Sequence, residues 1–170
     1  MAPSDAFGRL PRMPIKKQLL IVFSSLLFVL SATGTAGAGT QAQREASLVA
    51  AVNAARAAHG LKPVSVDLSL RRAARSHSSR MIQTDVFTHA GLGSRMASSG
   101  ARGPFFGENL AWGVGRSASA RTIVRRWLAS PMHRANLLRP GFRRVGIGAP
   151  TGTFAGYRGA TVVTANFAGR

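Results

Sequence analysis

Glu108 is one of only five acidic residues in a chain that carries 23 Lys and Arg. It stands in the run Gly107-Glu108-Asn109-Leu110-Ala111, whose glycine and aromatic flanks read as a loop rather than a solvated helix face. A histidine lies on either side of it in sequence. His89 sits in Phe87-Thr88-His89-Ala90-Gly91, at the start of a long loop where a side chain is free to face a cleft. His133 sits in Ser130-Pro131-Met132-His133-Arg134, in the first turn of a short helix. Two neutral imidazoles and one carboxylate are a ligand set that zinc accepts, with a fourth position left for water. Other first-row divalent metals also accept imidazole. His89, Glu108 and His133 are 19 and 25 residues apart, so nothing local joins them, unlike H-E-x-x-H on one helix face. Spacing alone therefore leaves two readings open, one metal site or three polar residues with separate tasks.

The other two histidines read as structural. His59 falls at the end of the first helix, where a cation meets the helix dipole favourably, and His77 shares the apolar face of the second helix as a hydrogen-bonded core residue. A serine nucleophile has little support, because the G-x-S-x-G turn is absent and Ser130 is accounted for as an N-cap. No phosphate-cradling G-x-x-x-x-G-K-[ST] loop is present. Phe105, Phe106, Trp112 and Trp127 read as core and cleft wall. No basic helix or stripe marks a DNA-binding module, so no specific nucleic acid is expected as partner.

The elements that must position these residues follow from pattern. Residues 45–58 repeat Leu48, Val52 and Ala55 at helical spacing, with Glu45 in the first turn and Gly60 as the stop. Lys62 to Val66 is an extended connector. Asp67 is the N-cap of a second helix over 68–84, with Leu70, Ala74, His77 and Met81 on one face. Residues 87–106 read as irregular. A third helix covers 119–129, and Ser130-Pro131 open a short fourth over 132–138. Val145 to Gly148 is a short strand, 152–159 a turn, and Ala160 to Phe167 a strand with Thr161, Val163, Ala165 and Phe167 on one side. Helices first and strands later indicate α+β layers.

Residues 1–38 read as a Sec-type signal peptide. Arg9, Arg12, Lys16 and Lys17 precede the apolar run Leu19 to Leu30, and Ala36-Gly37-Ala38 offers a cleavage site. The run is shorter than the roughly 20 residues a spanning helix needs, so cleavage and export are favoured over a retained anchor. A short linker is expected over 39–44 and a single domain over 45–170. Residues 39–170 keep 19 basic and four acidic residues, a charge of about +15, which favours anionic envelope partners. The basic residues are nevertheless scattered, and Lys62 is the only lysine after residue 38, so a solvated surface in an arginine-rich composition is the first reading. The chain has no cysteine, which excludes disulfides, a thiol nucleophile and thiolate metal sites.

Several motifs in one order resemble the CAP superfamily, named for cysteine-rich secretory proteins, antigen 5 and plant pathogenesis-related proteins, and above all its cysteine-poor bacterial SCP-like branch. They are Asn53-Ala54-Ala55-Arg56 with Gly60-Leu61, Ala73 and Ala74 to His77-Ser78 with Met81, Phe87-Thr88-His89, Gly107 to Ala111, Trp127-x-x-Ser130-Pro131-x-His133-Arg134-x-Asn136-Leu137-Leu138, and Val145 to Gly148. The resemblance spans about Glu45 to Phe167. It implies a single-domain α-β-α sandwich with an open cleft lined by two histidines and two acidic residues. His89, Glu108 and His133 match three of these, and Asn109 and Asn136 match scaffold positions. Ser130 occupies the position of the second acid, which weakens cation binding and removes half of any paired-carboxylate scheme. The implied function is binding of a divalent metal, often zinc, or of a small ligand at the envelope or outside the cell, with no cofactor otherwise. The alternatives are a metal-assisted hydrolase using Glu108 as general base and a module for lipid or an anionic envelope polymer. A monomer without a transmembrane span in the exported part is expected.

Overall fold

Strand β5 (Tyr157–Gly169) is the spine of a five-stranded mixed sheet completed by β1 (Ser65–Val66), β2 (Phe106–Gly113), β3 (Phe142–Gly148) and β4 (Thr151–Phe154). The computed structural model describes residues 36–170, with side chains from Gln41 onward. The strand order is β1-β3-β5-β2, and β4 also pairs with β5. β1 runs parallel to β3, and the remaining pairs are antiparallel.

The two-residue period of β5 divides the core between the faces of the sheet. Val163, Ala165 and Phe167 point to one side with Val145 and Ile147 of β3 and Ala111 of β2. Three helices cover that side: α1 (Ala36–Ala57), α4 (Ala120–Ala129) and α5 (Pro131–Leu137), which contribute Leu48, Val52, Ile123, Val124, Trp127 and Leu137. The opposite side is covered by α2 (Leu68–Thr84) and α3 (Leu92–Ser98). There Met81 packs with Leu110, Phe154 and Val162, and Leu70 and Ala73 pack with Met96 and Ala168. This is the expected α+β fold, an α-β-α sandwich.

Helix α2 begins as the sequence predicts. Asp67 accepts hydrogen bonds from Ser69 N (2.9 Å) and Leu70 N (3.0 Å), and it also pairs with Arg144 Nη1 at 2.8 Å. The helix rests directly on β3 because that strand presents glycines upward. A Cβ on Gly146 would lie 2.0 Å from Arg71 N, and one on Gly148 2.5 Å from Ala74 C. On the other face the fully buried Arg56 ties the end of α1 to the end of α5. Its guanidinium donates to Lys62 O (3.0 Å), Leu137 O (2.8 Å), Arg139 O (3.2 Å) and Phe142 O (3.1 Å). Carbonyls at a helix C-terminus carry partial negative charge, so this buried cation is stabilised without a carboxylate.

Four expectations are corrected. The first helix begins at Ala36 and covers 39–44, where a linker was predicted. Glu45 is therefore well inside the helix, buried, and bound to Arg75 through Nε (2.9 Å) and Nη2 (2.6 Å). Gly107 to Ala111 is not a loop but the middle of β2, because pairing with β5 overrides the weak strand preference of Gly, Glu and Asn. The segment 87–106 contains α3, whose only fully buried side chain is Met96. The predicted turn over 152–159 holds β4 and a two-residue hairpin in which Ala155 (φ 50°) and Gly156 (φ 81°) both take the left-handed conformation such turns require. The signal segment lies, up to residue 35, outside the described residues. Among the described residues no helix is long and apolar enough to cross a membrane.

The glycine seat of α2 gives a paired prediction. Gly146→Ala forces backbone apart and should cost at least about 3 kcal/mol, the top of the overpacking range. Gly93→Ala, in α3 with nothing within 4 Å of the new methyl, should instead stabilise by about 0.5–1 kcal/mol through helix propensity. Urea unfolding of both variants measures the contrast.

Candidate functional site

Strand β2 is the edge of the sheet, and an open edge exposes unpaired backbone groups. Here its outward carbonyls are taken by side chains from the α4–α5 region. Asn136 Nδ2 donates to Glu108 O (3.0 Å), Trp127 Nε1 to Leu110 O (2.9 Å) and Arg126 Nη1 to Trp112 O (3.1 Å). Asn109 Nδ2 in turn donates to His133 O (2.9 Å), and its Oδ1 accepts from Asn136 (3.1 Å). Gly107 leaves the space this network needs, since a Cβ there would meet Asn136 at 2.8 Å and Phe142 at 2.7 Å. Asn109 and Asn136 thus lock α5 against the strand.

The alternation of β2 sends Glu108 to the opposite face, under α2 and α3. It is only 5 % exposed. His89 Nδ1 donates to Oε1 at 2.9 Å, and Arg95 Nη2 from α3 donates to Oε2 at 2.5 Å. Asn166, its cross-strand partner on β5, turns its amide nitrogen to Oε2 (3.0 Å) while its oxygen accepts from Ala74 N of α2 (3.2 Å). The reverse orientation would set the amide oxygen against the carboxylate. Both carboxylate oxygens are therefore engaged. A buried carboxylate without such partners would cost several kcal/mol.

His133 reaches the same region from α5. Ser130 has the backbone of an N-cap and Pro131 follows at N1, but the Ser130 hydroxyl makes no capping bond. It lies 2.9 Å from His133 Nδ1 instead. The capping role expected for Ser130 is thus confined to its backbone, and its side chain orients the imidazole. The His89 and His133 rings stand 6.4 Å apart, centre to centre, inclined by 35°. Each has its Nδ1 held by a neighbour, which leaves the two Nε2 atoms as the remaining ring donors. Hydrogen bonding of one imidazole nitrogen while the other binds is the usual arrangement around metals.

These donors fit a divalent metal in part. Two imidazoles on one tetrahedral zinc, with bonds of about 2.0–2.1 Å, would bring the ring centres to about 5 Å. The rings must therefore close by a little over an ångström. His89, with its side chain 56 % exposed, has the freedom to do so. Both Glu108 oxygens already accept hydrogen bonds, and Arg95 adds a positive charge beside them. Among the described residues no group of three His, Cys, Asp or Glu side chains is arranged to hold a metal ion.

The remaining histidines are structural, with His59 bonded as a neutral ring at the helix end instead of as a cation. His77 is buried, and its Nε2 donates to Thr88 O at 2.8 Å. His59 Nδ1 donates to Ala55 O at the end of α1 (2.8 Å), and its Nε2 accepts from Arg134 (3.2 Å). Two participants escaped the sequence reading. Arg95 lies in a stretch whose sequence has no periodic pattern, and one arginine among many gives no signal. Asn166 did leave a trace, as the amide inside an otherwise apolar closing strand.

The fold, the histidine pair and the braced edge strand define a CAP domain. The sequence matches the cysteine-rich secretory protein family (CAP) over residues 49–167, and the chain belongs to that family. It is 33% identical over 121 residues to the uncharacterized protein YkwD of Bacillus subtilis, a match covering 68% of this chain and 46% of that relative. The chain thus spans about half the length of the curated relative. In structure it is similar to an extracellular SCP-domain protein of Bacillus anthracis (TM-score 0.66, 24% identity, 79% of this chain and 43% of that one). It is also similar to an outer surface protein of Borrelia burgdorferi (TM-score 0.64, 18% identity, 75% and 93%).

One buried imidazole, His77, and one half-buried imidazole, His133, make the domain sensitive to acid. Burial first, then the nearby His89 and Arg126, hold His133 below the ordinary histidine pKa of 6.5. Burial first, then Arg95, does the same for His77, against the opposing pull of the Thr88 carbonyl and Glu108. As pH falls below about 6.5 the unfolded chain takes up protons that the folded chain refuses, so these groups lower stability there and have no effect well above it. The thermal midpoint should drop between pH 7 and pH 5, and His133→Asn should shallow that slope.

Proposed function

We propose that this CAP domain works outside the cytoplasm or at the cell envelope as a binding domain. Its cleft takes a divalent metal ion or a small ligand between His89 and His133. One observation carries the reading: the two imidazoles approach around the edge of the sheet from opposite faces, each with Nδ1 fixed and Nε2 left over. Orienting both rings before a ligand arrives lowers the cost of binding. The placement outside the cytoplasm is supported by the signal-like segment and by the extracellular and outer-surface proteins to which the fold is similar.

His89 and His133 would hold a metal through Nε2, and a bound divalent ion would supply Lewis-acid polarisation of a ligand oxygen. Glu108 would orient His89, and Ser130 would orient His133. Engagement of both Glu108 oxygens favours this positioning role over that of a general base. The hydrolase reading therefore has weaker support than simple binding.

Zinc titration calorimetry on the protein and on His89→Ala and His133→Ala tests the reading. Each alanine variant should weaken zinc by tenfold or more. Glu108→Gln, which keeps the shape but loses the charge behind His89, should cost about 10–100-fold in metal affinity, as loss of such a supporting partner usually does. Equal affinity in all four proteins would sink the metal reading.

A further inference from the structure

A cavity of about 580 Å³ opens between α2 and α3, and its lining does not include His89, Glu108 or His133. Arg72, Ser76 and Arg80 recur four residues apart on α2 and form one wall. Ser94 and Ser98 on α3 face them, and His77, Arg95 and Ser99 also line the space. Three arginines and four serines thus line one space, and the lining has no acidic residue. In a chain where basic groups are otherwise scattered, this is a local concentration of donors.

The charges on that wall are incompletely matched within the protein. Arg72 donates to Ser99 O at 3.0 Å, a neutral carbonyl. The Arg80 side chain has no hydrogen-bond acceptor among the described residues. Arg95 is paired with Glu108 through Nη2, and its Nη1 donates to Ala90 O. Independently of charge, only two buried side-chain polar atoms among the described residues lack a hydrogen-bond partner, and they are Arg95 Nε and His77 Nδ1. Both belong to residues lining this cavity. Buried polar atoms are nearly always satisfied, so the unpaired Arg95 Nε–H on the α3 side is a donor left for an acceptor from outside the chain. His77 Nδ1 on the α2 side, by contrast, carries no proton while Nε2 donates to Thr88 O, and it offers only a lone pair.

We propose that the α2–α3 cavity is a binding site for a phosphate-type oxyanion. Guanidinium groups bind such anions through paired N–H donors, and serine hydroxyls supply further donors. The anion would meet Arg72 and Arg80 at the mouth. A small shift of the Arg95 side chain then gives its Nε an acceptor. The volume lies within the range of ligand pockets and leaves room for an organic group attached to the phosphate. A lipid headgroup and a free phosphate share this chemistry.

The test compares two double variants that remove the same charge. Arg72→Ala with Arg80→Ala empties the cavity wall, and Arg121→Ala with Arg125→Ala removes two exposed arginines from α4. Inorganic phosphate is titrated and followed by NMR, and vesicles of phosphatidylglycerol or of phosphatidylcholine are co-sedimented with each protein. Saturable phosphate binding at least tenfold weaker in the cavity variant, and within twofold of wild type in the α4 variant, supports a free phosphate ligand. The same pattern confined to phosphatidylglycerol vesicles supports a headgroup. Arg80→Ala alone, which removes no hydrogen bond within the described residues, serves if the double variant unfolds, and it should weaken binding severalfold. Equal losses in the two double variants, or no saturable binding of either probe, overturn the proposal.

Discussion

The seat of α2 on two glycines of β3 is the constraint from which the rest of the domain follows. With hydrogen in place of a side chain at Gly146, the helix backbone settles directly on the sheet. Across the sheet, Gly146 pairs with Asn166, and Asn166 pairs with Glu108. That row lets one amide bridge the helix and the carboxylate, accepting from Ala74 N and donating to Glu108. A helix raised by a methyl group would break that bridge. It would also lift His77, whose bond to Thr88 anchors the segment that carries His89. Dense packing thus places the chemistry, because close-packed interiors transmit small displacements instead of absorbing them.

On the other face the same logic works through hydrogen bonds to an edge strand. Trp127, Asn136 and Arg126 each bond a carbonyl of β2. They protect an edge that would otherwise invite pairing with another chain, and they fix where α5 stands. His133 is delivered by that fixed helix and turned by Ser130. The two histidines therefore depend on opposite layers of the sandwich and meet only because β2 is the last strand. A further strand beside β2 would have separated them.

Electrostatics explains why so basic a chain keeps a carboxylate in its interior. Glu108 is shared by Arg95, His89 and Asn166, so its burial is compensated from three directions. Arg56 solves the converse problem with carbonyls alone. Burial and the neighbouring Arg143 both lower its pKa, yet four hydrogen bonds hold it in place. Elsewhere most arginines face solvent, and the α2–α3 cavity is where several of them converge.

Much of this was legible in the residues. The Asp67 cap, the helical stripe of α2, the Ser130-Pro131 start of α5 and the alternation of β5 are local signals, set by backbone geometry and solvent. The motifs also named His89, Glu108 and His133, since unusual residue types in a biased composition stand out. The strand character of Gly107 to Ala111 was not legible, because poor strand formers become a strand only when β5 supplies the ladder. Nor was the role of Arg95, one of many arginines, or of the Ser130 hydroxyl, whose usual capping bond was a reasonable default. The sequence by itself determined the layer order, the caps and the identity of the polar residues. Tertiary structure alone decided which of them touch. Contacts across 19 to 28 residues, such as those joining Glu108 to His89 and Asn136, depend on sheet register and helix seating, which no local spacing encodes.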